Sequence, residues 1–122
     1  MPKLDLQFSH GALPAAAVGP LTGELAEILL RHHRSLTVSE QDRAKVWAFA
    51  QEQPAFVAGA EPASPLVVVT VSLIAGGLDD AAAAALIADG TAAVKAIAPE
   101  ARVWIVIDEA QRGRWGVEGR AF

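Results

Sequence analysis

The sequence contains neither cysteine nor tyrosine. The lack of cysteine excludes disulfides, thiolate metal sites and a cysteine nucleophile, and the lack of tyrosine excludes a phenol as acid or base. Basic clusters are also missing: 10 Lys and Arg stand against 14 Asp and Glu, a formal net charge of −4, which argues against a nucleic-acid partner. The longest apolar run, residues 66–75, is about half as long as a membrane span requires. Lys3 and Asp5 interrupt any signal peptide, so we expect a cytoplasmic protein with no membrane partner.

The length and hydrophobic content of the chain suffice for one folded domain. The chain has 122 residues, of which 52% are hydrophobic and 20% charged, so a single domain 1–122 with a buried core is expected. Residues 2–8 alternate between apolar and polar side chains, which predicts a half-buried strand. A helical spacing of apolar residues follows from Gly19 to about Arg34, with Thr22 as the expected N-cap. Residues 43–50 are interpreted as a second strand.

The second half of the chain repeats this plan. Residues 66–73 form a continuous apolar segment rich in valine, typical of a strand buried on both faces. Asp79 and Asp80 are expected to open an alanine-rich helix that ends near Ile97. Residues 102–108, with a solid apolar middle, are predicted to form the next strand.

The repetition predicts pseudo-repeat units 2–59 and 66–122, at an offset of roughly sixty residues. Two β-α-β units are expected to share one four-stranded sheet with two helices on one face, an α/β (or α+β) fold completed by short C-terminal hairpin strands. Trp47 and Trp104 lie in the middle of strands and are interpreted as core residues. The sheet face without helices should be apolar and should favour assembly. The residues expected on that face are Val67, Val69, Val71, Val103 and Ile105.

Several stretches carry a resemblance to one superfamily. Pro2 directly follows Met1 at the start of a strand, and Val103-Trp104-Ile105-Val106-Ile107-Asp108-Glu109 is followed by Gly113-Arg114-Trp115-Gly116-Val117. Together with the duplicated β-α-β order, these features resemble the tautomerase superfamily, in the branch with two fused units. His33-Arg34-Ser35-Leu36-Thr37 and Gln51-Glu52-Gln53-Pro54 look like cis-3-chloroacrylic acid dehalogenase. Asp42-Arg43 and Gly119-Arg120-Ala121 look more like malonate semialdehyde decarboxylase.

The resemblance implies a cofactor-free tautomerase or isomerase, with neither cofactor nor metal ion. It would move a proton between the oxygen and carbon of a small 2-hydroxyalkenoate or 2-oxo acid. Once Met1 is removed, the nitrogen of Pro2 is a secondary amine. An apolar pocket or a nearby cation lowers the pKa of such an amine, which can then act as a general base near neutral pH. The resemblance also implies a homo-oligomer, a trimer.

Further site residues follow from the resemblance. His33 matches a histidine that binds substrate, and Trp115 matches an aromatic wall of the pocket. Arg120 is the candidate for orienting the substrate carboxylate. Glu118 matches, across a one-residue gap, a catalytic glutamate that activates water. On a helix, His32 and His33 point about 100° apart, so they predict no metal pair.

One departure from the family leaves alternatives open. Carboxylate-binding arginines of the family are absent from the matching positions: Ala12, approximately Lys45 and Trp104, and the segment 72–78. A lyase of the hydratase, dehalogenase or decarboxylase type, acting on a small three-carbon acid, is one alternative, with protonated Pro2 as acid and Glu118 activating water. A non-catalytic assembly or ligand-binding protein of the same fold is the other, and retention of Met1 would favour it.

Overall fold

The structure is a computed structural model that describes residues 1–122. The main sheet is formed by β1 (Lys3–Phe8), β2 (Trp47–Glu52), β3 (Leu66–Ile74) and β4 (Arg102–Ala110). The helices are α1 (Ala15–His32), the one-turn α2 (Glu40–Arg43) and α3 (Asp80–Ile97). Strands β5 (Gly116–Val117) and β6 (Arg120–Ala121) form a C-terminal antiparallel hairpin. No helix combines the length and apolarity that a membrane crossing requires.

The sheet has the strand order β2-β1-β3-β4. Strand β1 runs parallel to β2, and β3 runs parallel to β4, whereas the central pair β1 and β3 is antiparallel. Each parallel pair is joined through a long helix, which is the connection that parallel neighbours require. The predicted fold class is therefore confirmed, and the division into units 2–59 and 66–122 stays a prediction.

One hydrophobic core lies between the sheet and the two long helices. Alternate residues of β1 and β3 point into it because the side-chain period of a strand is two. The buried members from the strands are Leu4, Leu6, Phe8, Val67, Val69, Val71 and Leu73, and those from the long helices are Leu21, Leu25, Ile28, Leu29, Leu86, Ala93 and Val94. At the start of α3, the Asp79 carboxylate accepts the N–H of Ala82 at 2.7 Å, as the sequence predicted for this helix start.

The opposite face of the sheet is open in the single chain, and two interpretations of it were wrong. Trp47 and Trp104 are not core residues, since they lie on this face and are 67% and 71% exposed. The residues expected on the open face instead point into the helix layer: Val67, Val69, Val71, Val103 and Ile105. Strand β3 is consequently buried on one face only. An unbroken apolar run conceals the alternation that decides which side chains meet the helices.

The open face is apolar at its edges and polar in its middle. One row of aligned residues across the sheet reads Phe49, Asp5, Thr70 and Val106, and the neighbouring row begins with Trp47 and Lys3. The Lys3 ammonium contacts the Asp5 carboxylate at 3.0 Å in the middle of this face. Assembly through this face would therefore bury mainly the aromatic and aliphatic side chains of the edge strands β2 and β4.

Two element boundaries differ from the sequence expectation. Helix α1 begins at Ala15, with Pro14 at the N-cap position, and the Thr22 hydroxyl donates to the carbonyl of Gly19 inside the helix rather than capping it. The expected strand 43–50 begins only at Trp47, because Arg43 ends α2 and a turn follows it. Ser39 caps α2 by accepting the N–H of Asp42 at 3.2 Å.

The two ends of the sheet are built alike. At one end the carbonyl of Pro2 accepts the N–H of Trp47 at 3.3 Å, and at the other the carbonyl of Pro65 accepts the N–H of Arg102 at 2.8 Å. A hollow of about 700 Å³ lies at the Pro65 end, between residues 56–64 and the sheet.

Each half of the chain also contains a tight turn with two consecutive positive φ angles. These angles are 49° and 85° at Ala58 and Gly59, and 49° and 81° at Glu118 and Gly119. Positive φ at both central residues is the geometry of a type I′ hairpin turn.

Candidate active site at the amino-terminal end of the sheet

Pro2 lies buried at the head of the central strand β1. Its carbonyl is held by Trp47 of β2, and the next residue, Lys3, aligns with Trp47 on one side and with Ser72 of β3 on the other. The first position of a strand is one of the few places in a sheet where proline costs no ladder hydrogen bond. Pro2 therefore lies where β2 begins, and β3 continues past it on the other side.

The terminal amine lies one residue earlier, on Met1, which is exposed. Partial burial lowers the pKa of this amine below 8.0, and the positive charge of Lys45 lowers it further. Both causes act in the same direction because each disfavours the charged ammonium. The surroundings thus shift the protonation equilibrium of the Met1 amine toward its uncharged form.

The charged neighbour Lys45 is held in place by Asp42. The Lys45 Nζ contacts one carboxylate oxygen of Asp42 at 2.7 Å, while the backbone N–H and the hydroxyl of Thr37 donate to the other oxygen at 2.8 and 3.1 Å. These hydrogen bonds, with the charge of Lys45, lower the pKa of Asp42 to about 2. Asp42 is therefore a carboxylate at neutral pH and holds Lys45 where its charge acts on the amino terminus.

His33 is the predicted site residue that the structure brings to the same place. Its Nδ1 accepts the backbone N–H groups of Ser35 and Leu36, each at 3.1 Å. An Nδ1 atom that accepts two hydrogen bonds carries no proton, so the neutral ring bears its proton on Nε2. Burial, followed by the charge of the amino terminus, lowers the pKa of His33 below 6.5, although Asp42 opposes this shift. His33 consequently offers an N–H donor, and not a positive charge, at neutral pH.

Gly77 provides the space that the imidazole occupies. A Cβ atom on Gly77 would stand 2.5 Å from Nε2 of His33 and 2.7 Å from a methyl carbon of Leu73, and both distances are too short for real contacts. The carbonyl of Gly77 also accepts the N–H of Arg34 at 2.8 Å, which ties the end of α1 to the loop after β3. Glycine is required here by the close approach of His33 rather than by its φ angle.

The other predicted site residues lie on the C-terminal hairpin. Trp115 is half-buried, whereas Glu118 and Arg120 are exposed at and beside the hairpin turn. The backbone hydrogen bonds of the hairpin are local: Gly113 donates to the carbonyl of Phe122, and Phe122 donates to that of Trp115. None of the hydrogen bonds or ion pairs of the single chain connects these three side chains to Pro2 or His33.

Two histidines and one arginine at the end of α1 have separate roles. His32 contacts Asp89 of α3 at 2.8 Å, and its neighbour His33 faces Gly77, so the two rings diverge as the helical geometry predicted. Arg34 is exposed and contributes its backbone N–H to the loop contact. No group of three or more His, Asp or Glu side chains is arranged to hold a metal ion.

The sequence analysis missed Asp42 as an anchor and Gly77 as the residue that leaves space for the imidazole. It matched Lys45 approximately to a family arginine but did not identify its charge as one that acts on the terminal amine. One signal was available: Ser39-Glu40-Gln41-Asp42 has the spacing of a capping box, which predicts a helix start and a fixed position for Asp42. No comparable signal marked Gly77, because its neighbour Gly76 is indistinguishable from it in the sequence.

This arrangement defines an α/β protein with two helices on one face of a four-stranded sheet and an amine site at one sheet end. The Q0 fused 4-OT, a wild-type symmetric trimer, is 27% identical, with a TM-score of 0.75 over 98% of this chain and 94% of that chain. Pt0534, in the form inactivated by 2-oxo-3-pentynoate, is 17% identical, with a TM-score of 0.79 over 96% of this chain and 93% of that chain. N1, of the cis-3-chloroacrylic acid dehalogenase family, is 17% identical, with a TM-score of 0.74 over 98% of this chain and 82% of that chain.

The resemblance predicted from the sequence is thereby confirmed: the chain is a fused-unit protein with the tautomerase-superfamily fold. No protein-family model and no curated protein matches the sequence. The structural similarity extends to macrophage migration inhibitory factor of Toxoplasma gondii, which is 14% identical with a TM-score of 0.68.

Proposed function

We propose that the protein is a cofactor-free tautomerase acting on a small 2-hydroxyalkenoate or 2-oxo acid, with the nitrogen of Pro2 as general base. The observation that carries the proposal is the buried position of Pro2 beside His33 and Lys45, at an amino terminus whose pKa is already lowered. Removal of Met1 transfers the amine from an exposed residue to a buried one. Burial then disfavours the ammonium more strongly, so the pKa of the Pro2 amine falls further.

The proton transfer needs one base and no other reactant. The lone pair of the Pro2 nitrogen takes the proton of the enol O–H, and the electrons of that bond form the new C=O bond. The electrons of the C=C bond take a proton from the resulting ammonium at C-3, which regenerates the amine. The product is the 2-oxo acid, an isomer of the starting enol, and no water is consumed. A base with a pKa near the working pH suits both halves of this transfer.

His33 would assist by donating Nε2–H to the substrate oxygen as negative charge develops there. A neutral imidazole is suited to this role because it donates a hydrogen bond without repelling the protonated amine. The lowered pKa of His33 keeps it in this form at neutral pH. Its two Nδ1 hydrogen bonds hold the ring before substrate arrives, which is the preorganisation that electrostatic catalysis requires.

The proposal includes a homotrimer, in which the hairpin residues of one subunit would complete the site of another. Trp115, Glu118 and Arg120 lie on a hairpin with local contacts, and the fused 4-OT similar to this chain is a trimer. In such an assembly Trp115 would exclude water from the pocket and Arg120 would orient the substrate. The open sheet face, with Trp47 and Trp104 at its edges, would be covered at the same time.

The test starts with the mass of the intact protein, which reports whether Met1 has been removed. Protein without Met1 should convert the enol to the keto form, and Pro2→Ala should lower kcat by about 10- to 100-fold because a flexible primary amine replaces the fixed ring. A variant with an uncleaved extension before Pro2 carries an amide nitrogen there and should lose about 10²- to 10⁴-fold, the usual contribution of a general base. Unchanged turnover in the folded, extended protein would exclude Pro2 as the base.

A covalent probe provides an independent test of the amine. The compound 2-oxo-3-pentynoate inactivates Pt0534, whose fold this chain shares. An unprotonated amine can add across the alkyne of this compound, so the mass of the chain should rise by the mass of one probe molecule. Peptide mapping should place the addition at Pro2, and the extended variant should remain unlabelled. Labelling of Lys45 or Lys3 instead would assign the nucleophilic amine to a side chain.

A further inference from the structure

The turn that follows α1 closes on the imidazole of His33. The backbone N–H groups of Ser35 and Leu36 both donate to its Nδ1 atom at 3.1 Å, and neither group donates to any other atom. Leu36 is half-buried, so its N–H group has limited access to water. A donor left unpaired in such a place costs free energy. The two N–H groups therefore depend on a ring nitrogen with a lone pair to offer.

The turn is also tied to the rest of the molecule on both sides of these two residues. The N–H of Arg34 donates to the carbonyl of Gly77 at 2.8 Å. The N–H and the hydroxyl of Thr37 donate to one carboxylate oxygen of Asp42 at 2.8 and 3.1 Å. Neither tie involves the imidazole, so a loss of the Nδ1 hydrogen bonds would release the middle of the turn and leave its ends attached.

A proton on Nδ1 is incompatible with the closed turn. The neutral ring already has its proton on Nε2, so the next proton must bind at Nδ1. The imidazolium then has two N–H donors and no acceptor, and its new N–H would point at the N–H groups of Ser35 and Leu36. On the other side of the ring, a Cβ atom on Gly77 would stand only 2.5 Å from Nε2, so the ring has little room to move that way. Protonation must therefore separate the ring from the turn.

We propose that residues 33–37 form an acid-sensitive latch, which is closed on the neutral ring of His33 and opens when Nδ1 takes a proton from solvent. Opening frees the imidazole to leave its place beside Gly77. The effect of the latch on turnover rests on the proposed function, since the Nε2–H donor would leave the site with the ring. The latch itself is a property of the fold and requires no substrate.

The charged groups around the ring determine where the latch opens. Burial and the positive charge of the amino terminus oppose protonation and lower the pKa of His33 below 6.5, whereas the carboxylate of Asp42 favours protonation. The loop after β3 places the uncharged Gly77 beside the ring, and the neighbouring Leu73 is also uncharged. The other titratable or charged groups at this helix end are Arg31, Arg34 and the contact pair of His32 with Asp89. The latch is therefore closed at neutral pH and opens in mild acid.

An NMR titration of the full chain from about pH 8 to about pH 5 tests the latch. At the upper end, nitrogen–nitrogen couplings through the hydrogen bonds should connect Nδ1 of His33 with the amides of Ser35 and Leu36. As the ring takes its proton, both couplings should vanish. The protection of these two amides against hydrogen exchange should fall by at least about fivefold, the usual effect of losing one hydrogen bond. The amides of Arg34 and Thr37 donate elsewhere and should keep their protection, which makes them the internal control. Unchanged protection of Ser35 and Leu36 across the ring titration would overturn the proposal.

A matched pair of substitutions assigns the titration to the ring. His33→Asn places an amide oxygen as many bonds from the backbone as Nδ1, and this oxygen accepts hydrogen bonds but takes no proton. The protection of the Ser35 and Leu36 amides should then be independent of pH. His32→Asn is the control, because His32 contacts Asp89 and not the turn, and the wild-type pH dependence should remain. A pH dependence that survives His33→Asn would show that His33 does not operate the latch.

The same titration separates the latch from the proposed function. If the protein turns over no 2-hydroxyalkenoate, the proposed function fails, and the amide protection decides the latch alone. In active protein, the acid profile of kcat should include an ionisation with the midpoint of the Ser35 and Leu36 transition. A kcat profile without that ionisation would refute the control of turnover by the latch, whatever the amides show.

Discussion

Replacing Gly77 by alanine tests the packing that holds the imidazole at the site. The added Cβ would stand 2.5 Å from Nε2 of His33 and 2.7 Å from the Leu73 methyl carbon, so at least one of these side chains must move. Leu73 is 1% exposed and belongs to the packed core. His33 can move only by losing the two hydrogen bonds on Nδ1.

The expected cost follows from these two contacts. Forcing an additional methyl group into a packed region costs about 1–3 kcal/mol, so the free energy of unfolding should fall by that amount. A displacement of the imidazole by about 1 Å should also lower kcat/KM, by up to about 100-fold if His33 contacts the substrate. Chemical denaturation gives the first quantity, and the enol-to-keto assay gives the second.

The matched control is Gly23→Ala, on the exposed side of α1. Nothing lies within 4 Å of a Cβ at Gly23, and this change should stabilise the protein by about 0.5–1 kcal/mol because alanine is the better helix former. A Gly77→Ala protein as stable as the Gly23→Ala protein would refute the packing argument. In a His33→Ala background the cost of Gly77→Ala should shrink, and an undiminished cost would assign the clash to Leu73 instead.

Four further results are expected. NMR should show His33 as the Nε2–H tautomer with a pKa below 6.5, and a pKa at or above 6.5 would contradict this. Because the pKa of His33 is lower in the folded than in the unfolded protein, the free energy of unfolding should fall as the pH drops below about 6.5. The Thr37 amide shift should titrate with Asp42 at a pKa of about 2, so that the stabilisation from Asp42 is lost between about pH 4 and 2, and Asp42→Asn should abolish that titration. Glu118→Gln should leave tautomerisation within about tenfold, roughly 1.4 kcal/mol of barrier, and a collapse with the trimer intact would place Glu118 in the proton path. Light scattering should show a trimer that Trp104→Glu dissociates, whereas a wild-type monomer at micromolar concentration would exclude the proposed assembly.

Local sequence signals predicted the order of the helices and strands. They did not predict which face of the sheet each strand side chain occupies. Alternation in β1 and the Asp79 cap of α3 are short-range patterns, and both led to correct elements. The orientation of Trp47 and Trp104 depends on which face of the sheet receives the helices, and hydrophobicity alone assigned both side chains to the wrong layer. In the proposed trimer these side chains would be covered. The hydrophobicity that suggested a core position would then be buried between subunits rather than within one.

At the candidate site, the sequence indicated the residues expected to carry the chemistry. It did not indicate the neighbouring residues that hold charged groups in position. Pro2 and His33 were identified through their resemblance to a family, and the structure brings both to one end of the sheet. The pairing of Lys45 with Asp42 was not identified, because it depends on a single turn of helix within a polar stretch. Such short helices have few apolar residues and therefore leave no periodic pattern to read.

The likeness of the two sheet ends determines how many reactive centres one chain can have. Pro65 precedes β3 as Pro2 precedes β1, and both carbonyls accept an N–H from the parallel neighbouring strand. A proline nitrogen is a free amine only at the amino terminus of a chain, and the nitrogen of Pro65 is committed to a peptide bond. Joining two units in one polypeptide therefore halves the number of amine centres per sheet, and a trimer would carry three rather than six. A circularly permuted chain beginning at Pro65 would transfer the single proline amine to the opposite end of the sheet, where similar backbone hydrogen bonding is surrounded by different side chains.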